Sequence, residues 1–146
     1  MANLQLVTIL LVEDDSGHAR LIEKNLRRAN LSNDLIVASD GALALDFVFR
    51  QGVYADRDRT EALLILLDLN LPVLDGYQVL ERLKSDDTTK KIPIVILTTT
   101  DDPREVARCY ELGCNVYVTK PVEYTEFSEA IRQLGLFLAV ATIPET

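Results

Sequence analysis

The run Leu63-Leu64-Ile65-Leu66-Leu67-Asp68 constrains the fold of this chain more than any other stretch. From Ala62 to Leu67 no side chain is polar, the pattern of a strand covered on both faces in a parallel sheet. The run ends on a carboxylate, which is costly beside so much apolar surface unless a cation, hydrogen bonds or exposure at the strand end offsets it. Leu71-Pro72-Val73-Leu74-Asp75-Gly76 follows as a turn-rich loop, and helical periodicity then resumes. Asp68 is therefore expected just past the carboxyl end of a strand, where open α/β sheets carry their chemistry.

The rest of the chain repeats that alternation. Leu6 to Val12 reads as a first buried strand ending in Glu13-Asp14-Asp15. Ser16 or Asp15 caps a helix with Ile22, Leu26 and Ala29 at helical spacing. Leu35 to Ala38 is a second strand, and Ala42 to Phe49 a second helix after Asp40-Gly41. Residues 51–60 are polar and read as a long surface loop. After the Asp68 strand, Tyr77 to Lys84 is the third helix and Ser85 to Lys91 a charged loop.

Ile94 to Leu97 is the fourth strand, followed by Thr98-Thr99-Thr100. Asp102-Pro103 opens the fourth helix and Gly113 closes it. Asn115 to Thr119 is the fifth strand, ending on Lys120-Pro121, and the last helix runs from about Tyr124 towards Ala141. Five strands alternating with five helices predict a doubly wound parallel sheet in one domain, residues 1–146.

In a parallel sheet all carboxyl ends share one edge. Glu13, Asp14 and Asp68, the Thr98 hydroxyl and the Lys120 ammonium are thus expected to converge from distant parts of the chain. Singly each is ordinary: an Asp at a strand end caps turns and helices, and Lys-Pro is a common turn. Their coincidence at one edge is what favours function. Clustered carboxylates repel one another unless a cation is present. Oxygen ligands, with His18 the only histidine, point to Mg²⁺ or Mn²⁺. An Asp nucleophile beside such an ion, with an ammonium and a hydroxyl in reach, is equipped to take up a phosphoryl group as an acyl phosphate.

These residues resemble the receiver domain of two-component response regulators: the acidic pair after strand one, LLDLNLPVLDG, a Thr thirty positions after Asp68, and Lys-Pro after strand five. The resemblance extends over essentially the whole chain. It implies a flavodoxin-like fold of strand order 2-1-3-4-5 and phosphotransfer from a phosphohistidine on a sensor kinase to Asp68. By motif position Asp14 and Asp68 resemble direct metal ligands, Glu13 a ligand through water and Asn70 the backbone carbonyl ligand. Thr98 resembles the switch hydroxyl, Tyr117 the aromatic that rotates with it, and Lys120 the phosphate-sensing cation. Many relatives have Asp where Glu13 stands. The loop 51–60, LKSDDTTKKIPIVILTTT and FLAVATIPET look like the single-domain regulators that act with cyanobacterial phytochromes, which implies a bacterial phytochrome kinase as partner.

A net charge of −8 opposes non-specific binding to nucleic acid. The longest late apolar run, Leu134 to Ala141, is too short to span a membrane, and no secretory leader is read at the start, so a cytoplasmic protein is expected. Cys109 and Cys114 match no zinc or redox spacing and read as reduced, partly buried thiols, while His18 reads as a solvated or capping side chain whose closeness to the acidic cluster leaves a minor electrostatic role open. In the last helix Phe127, Ile131, Leu134 and Leu138 form the inward stripe, and Leu136, Phe137 and Val140 fall off it. That second apolar face predicts a homodimer through helix four, strand five and helix five. With no output module read after the domain, signalling is expected to pass through protein contacts. Two other readings are an aspartyl-phosphate phosphotransferase or phosphatase, disfavoured because Asn70 stands where those enzymes carry a second Asp, and a scaffold that no longer accepts phosphate.

Overall fold

The computed structural model of the chain describes residues 4–5, 7–28, 33–57, 62–119 and 143–144. In chain order the elements are β1 (Leu4–Gln5), β2 (Thr8–Val12), α1 (Ser16–Arg28), β3 (Leu35–Ala38), α2 (Gly41–Phe49), a 3₁₀ turn (Gly52–Tyr54), β4 (Leu63–Leu67), α3 (Gly76–Lys84), β5 (Ile94–Thr98), α4 (Pro103–Leu112), β6 (Val116–Thr119) and β7 (Ile143–Pro144). The main sheet is parallel with order β3-β2-β4-β5-β6. Counting only those five strands, this is the expected 2-1-3-4-5.

Alternate residues of each central strand feed opposite faces, which is why their sequence is apolar throughout. Leu10, Val12, Ile65, Leu67, Ile94 and Ile96 pack under α2, α3 and α4. Ile9, Leu11, Leu64, Leu66, Val95 and Leu97 pack with Ile22 and Leu26 of α1. The sheet thus separates two cores.

Three expectations need correction. The first strand begins at Thr8, and Leu4–Gln5 is a separate strand, antiparallel to Ile143–Pro144. Pairing between opposite ends of a chain leaves no periodic signal in either segment. The stretch 51–60 is not loop throughout: Gly52–Tyr54 makes a 3₁₀ turn whose Tyr54 ring packs edge-on to Phe47 at 5.0 Å. The fourth strand includes Thr98, since it pairs with Thr119. The fifth helix expected from Tyr124 to Ala141 lies outside the described residues, as do Leu136, Phe137 and Val140.

The caps follow local chemistry. Asp15 Oδ1 accepts from the Gly17 and His18 amides and starts α1. Asp75 and Gln78 form a reciprocal capping box at α3, and Gly113, at φ +106°, closes α4.

Two glycines bring helix starts against the loop that follows Asp68. A Cβ on Gly76 would lie 2.3 Å from the Asp68 carbonyl oxygen, and one on Gly41 would lie 2.1 Å from the Leu74 carbonyl oxygen. Between them the chain turns sharply: the Leu74 amide donates to the Pro72 carbonyl (2.8 Å) around Val73, whose φ is +69°. A positive φ is costly for a β-branched residue, by about 1–2 kcal/mol. Val73 is 76% exposed and so gains little packing in return. Val73→Gly is expected to raise stability by up to about 1 kcal/mol, the relief of strain being partly offset by the greater freedom of glycine when unfolded. Urea unfolding of the two proteins measures it.

Candidate functional site

Register places the site. Val12 pairs with Leu67 and Leu67 with Ile96, so β2, β4 and β5 end nearly flush. One further rung, the Asp68 amide donating to the Val12 carbonyl at 3.1 Å, holds the next residues together. Glu13, Asp14 and Asp68 consequently offer carboxylate oxygens that all lie within 4.8 Å of one another.

Their surroundings differ. Glu13 is 2% and Asp68 8% exposed, whereas Asp14 faces solvent. Glu13 Oε2 accepts from the Asp15 amide (3.3 Å), and its Oε1 lies 3.7 Å from His18 Nδ1. His18 is half-exposed and stands beside the acidic group, the closeness that its position in the chain left open. Asp68 Oδ1 accepts from the Asn70 amide at 3.3 Å, which fixes the first turn of the following loop.

Thr98 ends β5 at 0% exposure, and its Oγ1 has no hydrogen-bond partner among the described residues. A buried hydroxyl left unpaired costs about 1–3 kcal/mol, so its retention here marks a position held for something other than stability. Tyr117, on β6, points its hydroxyl at the loop after β5 and donates to the Thr100 carbonyl at 2.6 Å. Burial first, and then Cys109, Tyr77 and Glu105, push the Tyr117 hydroxyl pKa far up. Lys120 lies outside the described residues; Thr119, which precedes it, pairs with Thr98.

Sequence reasoning missed the cluster that joins this rim to α4. Tyr77, the residue after Gly76, has its hydroxyl buried next to Glu105 and its ring under the Arg108 guanidinium at 3.9 Å. Burial, then Cys109 and Glu105, raise its pKa to about 12. Thr100 Oγ1 donates to Glu105 at 2.7 Å. No motif marks these residues, because the contacts join α3, the β5–α4 loop, α4 and β6.

Five parallel strands with converging carboxylates and a buried hydroxyl at one edge define a doubly wound signalling domain of the phosphoacceptor kind. The chain belongs to the response regulator receiver domain family, whose model matches residues 9–132. Response regulator Rcp1 of Synechocystis is 38% identical over 137 residues, 93% of this chain and 92% of Rcp1. Its Mn²⁺-bound crystal structure superposes with a TM-score of 0.84 at 34% identity, covering 96% of this chain and 99% of that one. A response regulator receiver domain from Rhodospirillum rubrum is 54% identical with a TM-score of 0.84, over 96% of this chain and 99% of that one. The phosphorylated cyanobacterial phytochrome response regulator RcpA is 33% identical with a TM-score of 0.86, over 97% and 99%.

Two outcomes follow from the site's polar and ionisable groups. Thr98→Val keeps the shape and removes the unpaired hydroxyl, so its urea midpoint is expected to equal or exceed that of the parent. Cys109 is fully buried and its thiol pKa rises from 9.0 to about 11, through burial first and then Cys114 and Glu105. Below pH 9 the thiol is protonated in both states and its contribution is whole. Between pH 9 and 11 the unfolded chain loses its proton first, so stability falls as pH rises. The urea midpoint should drop across that interval, and less steeply in Cys109→Ala.

Proposed function

We propose that Asp68 accepts a phosphoryl group from a phosphohistidine of a sensor kinase, and that a bacterial phytochrome is that kinase. The observation that carries this reading is the meeting of Glu13, Asp14 and Asp68 at the carboxyl edge of the sheet, where β5 ends on the buried Thr98. The likeness to Rcp1 and RcpA supports the phytochrome assignment.

The donor set fits a hard divalent ion: three carboxylates, no thiolate and no imidazole among the clustered ligands. Glu13, Asp14 and Asp68 would hold it, with the backbone carbonyl of Asn70. Bound there, Mg²⁺ or Mn²⁺ supplies positive charge against the carboxylates and the phosphoryl oxygens.

The chain's own groups do the rest. An Asp68 carboxylate oxygen forms the new bond to phosphorus as the bond to the histidine nitrogen breaks, the nitrogen keeping the electron pair. Asp68 is held for this by the Val12 carbonyl below it and by the Asn70 amide on its own Oδ1. Thr98 Oγ1, with no partner among the described residues to surrender, is free to donate to a phosphoryl oxygen. Movement of Thr98 towards that oxygen opens room for Tyr117, whose hydroxyl would leave the Thr100 carbonyl. Lys120, next after Thr119, is the cation assigned to the phosphoryl group by motif position. The chain on this reading is a single receiver domain and a relay, not an enzyme with a substrate of its own. It works in the cytoplasm, and none of the described helices is long and apolar enough to cross a membrane. Leu136, Phe137 and Val140 support a homodimer by their sequence alone.

Incubation with a small phosphodonor and Mg²⁺ tests the core of this. One stable phosphoryl group per chain is expected, abolished by Asp68→Asn and by EDTA. Phosphate release over many turnovers would instead indicate an enzyme, and absence of labelling a scaffold. Failure to accept phosphate from a phytochrome kinase, while other donors succeed, would remove that partner. Light scattering showing only monomer before and after phosphorylation would remove the dimer.

A further inference from the structure

The opposite edge of the sheet carries a cavity of about 260 Å³ at the start of β4, between the end of α2 and the loop before β5. Its walls are in part apolar, from Val48, Leu63 and Ile92, and in part basic, from Arg50, Arg57 and Lys91. No Asp or Glu is among the described residues that line it, although acidic side chains outnumber basic ones by 23 to 15 in the chain. The nearest described carboxylate on that side, Asp86, is taken up by the Thr88 amide and hydroxyl.

The three cations are not equivalent. Arg57 is committed to structure: Nε donates to the Phe47 carbonyl (2.8 Å), a terminal nitrogen donates to the Val48 carbonyl (3.2 Å), and the guanidinium stacks on Phe47 at 4.3 Å. It satisfies carbonyls at the end of α2 that would otherwise repel an anion. Arg50 and Lys91 pair with no carboxylate and donate no side-chain hydrogen bond among the described residues. The frame around them is fixed. Lys84 Nζ donates to the Lys90 and Ile92 carbonyls, each at 2.9 Å, and Thr89 Oγ1 donates to the Leu83 carbonyl at 2.6 Å. The loop that bears Lys91 is thereby tied to the end of α3.

We infer that this cavity binds a small organic oxyanion, its phosphate or carboxylate head between Arg50 and Lys91 and its apolar body against Val48, Leu63 and Ile92. A fully hydrated inorganic ion would leave the apolar wall unused, and a neutral apolar molecule would leave two cations unpaired. The five residues of β4 separate the cavity from Asp68 by roughly 16 Å, so occupancy leaves the acidic rim open. The inference does not depend on phosphotransfer to Asp68.

The test is titration of the whole ¹⁵N-labelled chain with phenylphosphonate, which cannot transfer its phosphoryl group, in EDTA so that no metal bridges the probe to the acidic rim. Saturable shifts are expected at the Val48, Arg50, Thr88 and Lys91 amides. Arg50→Gln/Lys91→Gln is expected to weaken binding at least about tenfold, and Lys91→Gln alone severalfold, as for lost charge-assisted hydrogen bonds. Lys91 is exposed and makes no side-chain hydrogen bond or ion pair among the described residues, so that single variant keeps the fold intact. Tighter binding of phenylphosphonate than benzoate assigns a phosphate head, and the reverse a carboxylate. Equal binding of benzyl alcohol, unchanged affinity in the double variant, or no saturable shift at these amides overturns the inference.

Discussion

Repulsion between carboxylates at the end of the sheet is the constraint around which the molecule is arranged. Glu13, Asp14 and Asp68 stand within 4.8 Å of one another, two of them almost out of solvent. At such separations each like-charged pair costs about 1 kcal/mol in water and several where burial weakens the screening. What holds them there is not local. The strands beneath are apolar on both faces and locked in register, so the ends cannot separate without breaking β2 from β4 and exposing both cores. The stability of the buried strands offsets the strain at their tips, which leaves the rim ready for a cation and a phosphoryl group.

Around that rim the polypeptide is closely fitted. Gly76 and Gly41 let the starts of α3 and α2 touch the loop after Asp68 at distances no other residue permits. Val73 keeps an unfavourable backbone angle in the same loop. A change at Asp68 is therefore passed on rather than absorbed, since packed interiors do not deform continuously. Tyr77 follows Gly76 directly and lies under Arg108 of α4, while Tyr117 reaches the loop before α4 through the Thr100 carbonyl. The unsatisfied Thr98 hydroxyl ends β5 in this region, and the buried Tyr77 hydroxyl lies against Glu105 of that helix. Buried unpaired groups of this kind concentrate where an element has two arrangements to choose between.

The two edges of the sheet carry different groups among the described residues. Acidic groups gather at the carboxyl edge, and Arg50, Arg57 and Lys91 border a cavity at the amino edge, with the length of β4 between them. The cavity gives the molecule a second electrostatic character at a place the phosphoacceptor chemistry does not use.

The order of elements, the parallel sheet and the convergence of Glu13, Asp14, Asp68 and Thr98 were legible in the residues, because strand burial writes itself as apolar runs and a parallel sheet sends every strand's end to one edge. Caps were legible for the same local reason: Asp102, Pro103 and Gly113 act on their own helix. Tertiary structure alone decided the pairing of Leu4–Gln5 with Ile143–Pro144, the cluster of Tyr77 with Arg108, and the basic cavity. Each of these joins side chains from separate elements at distances set by packing. A periodic pattern records which face of an element is covered, but not which neighbour covers it.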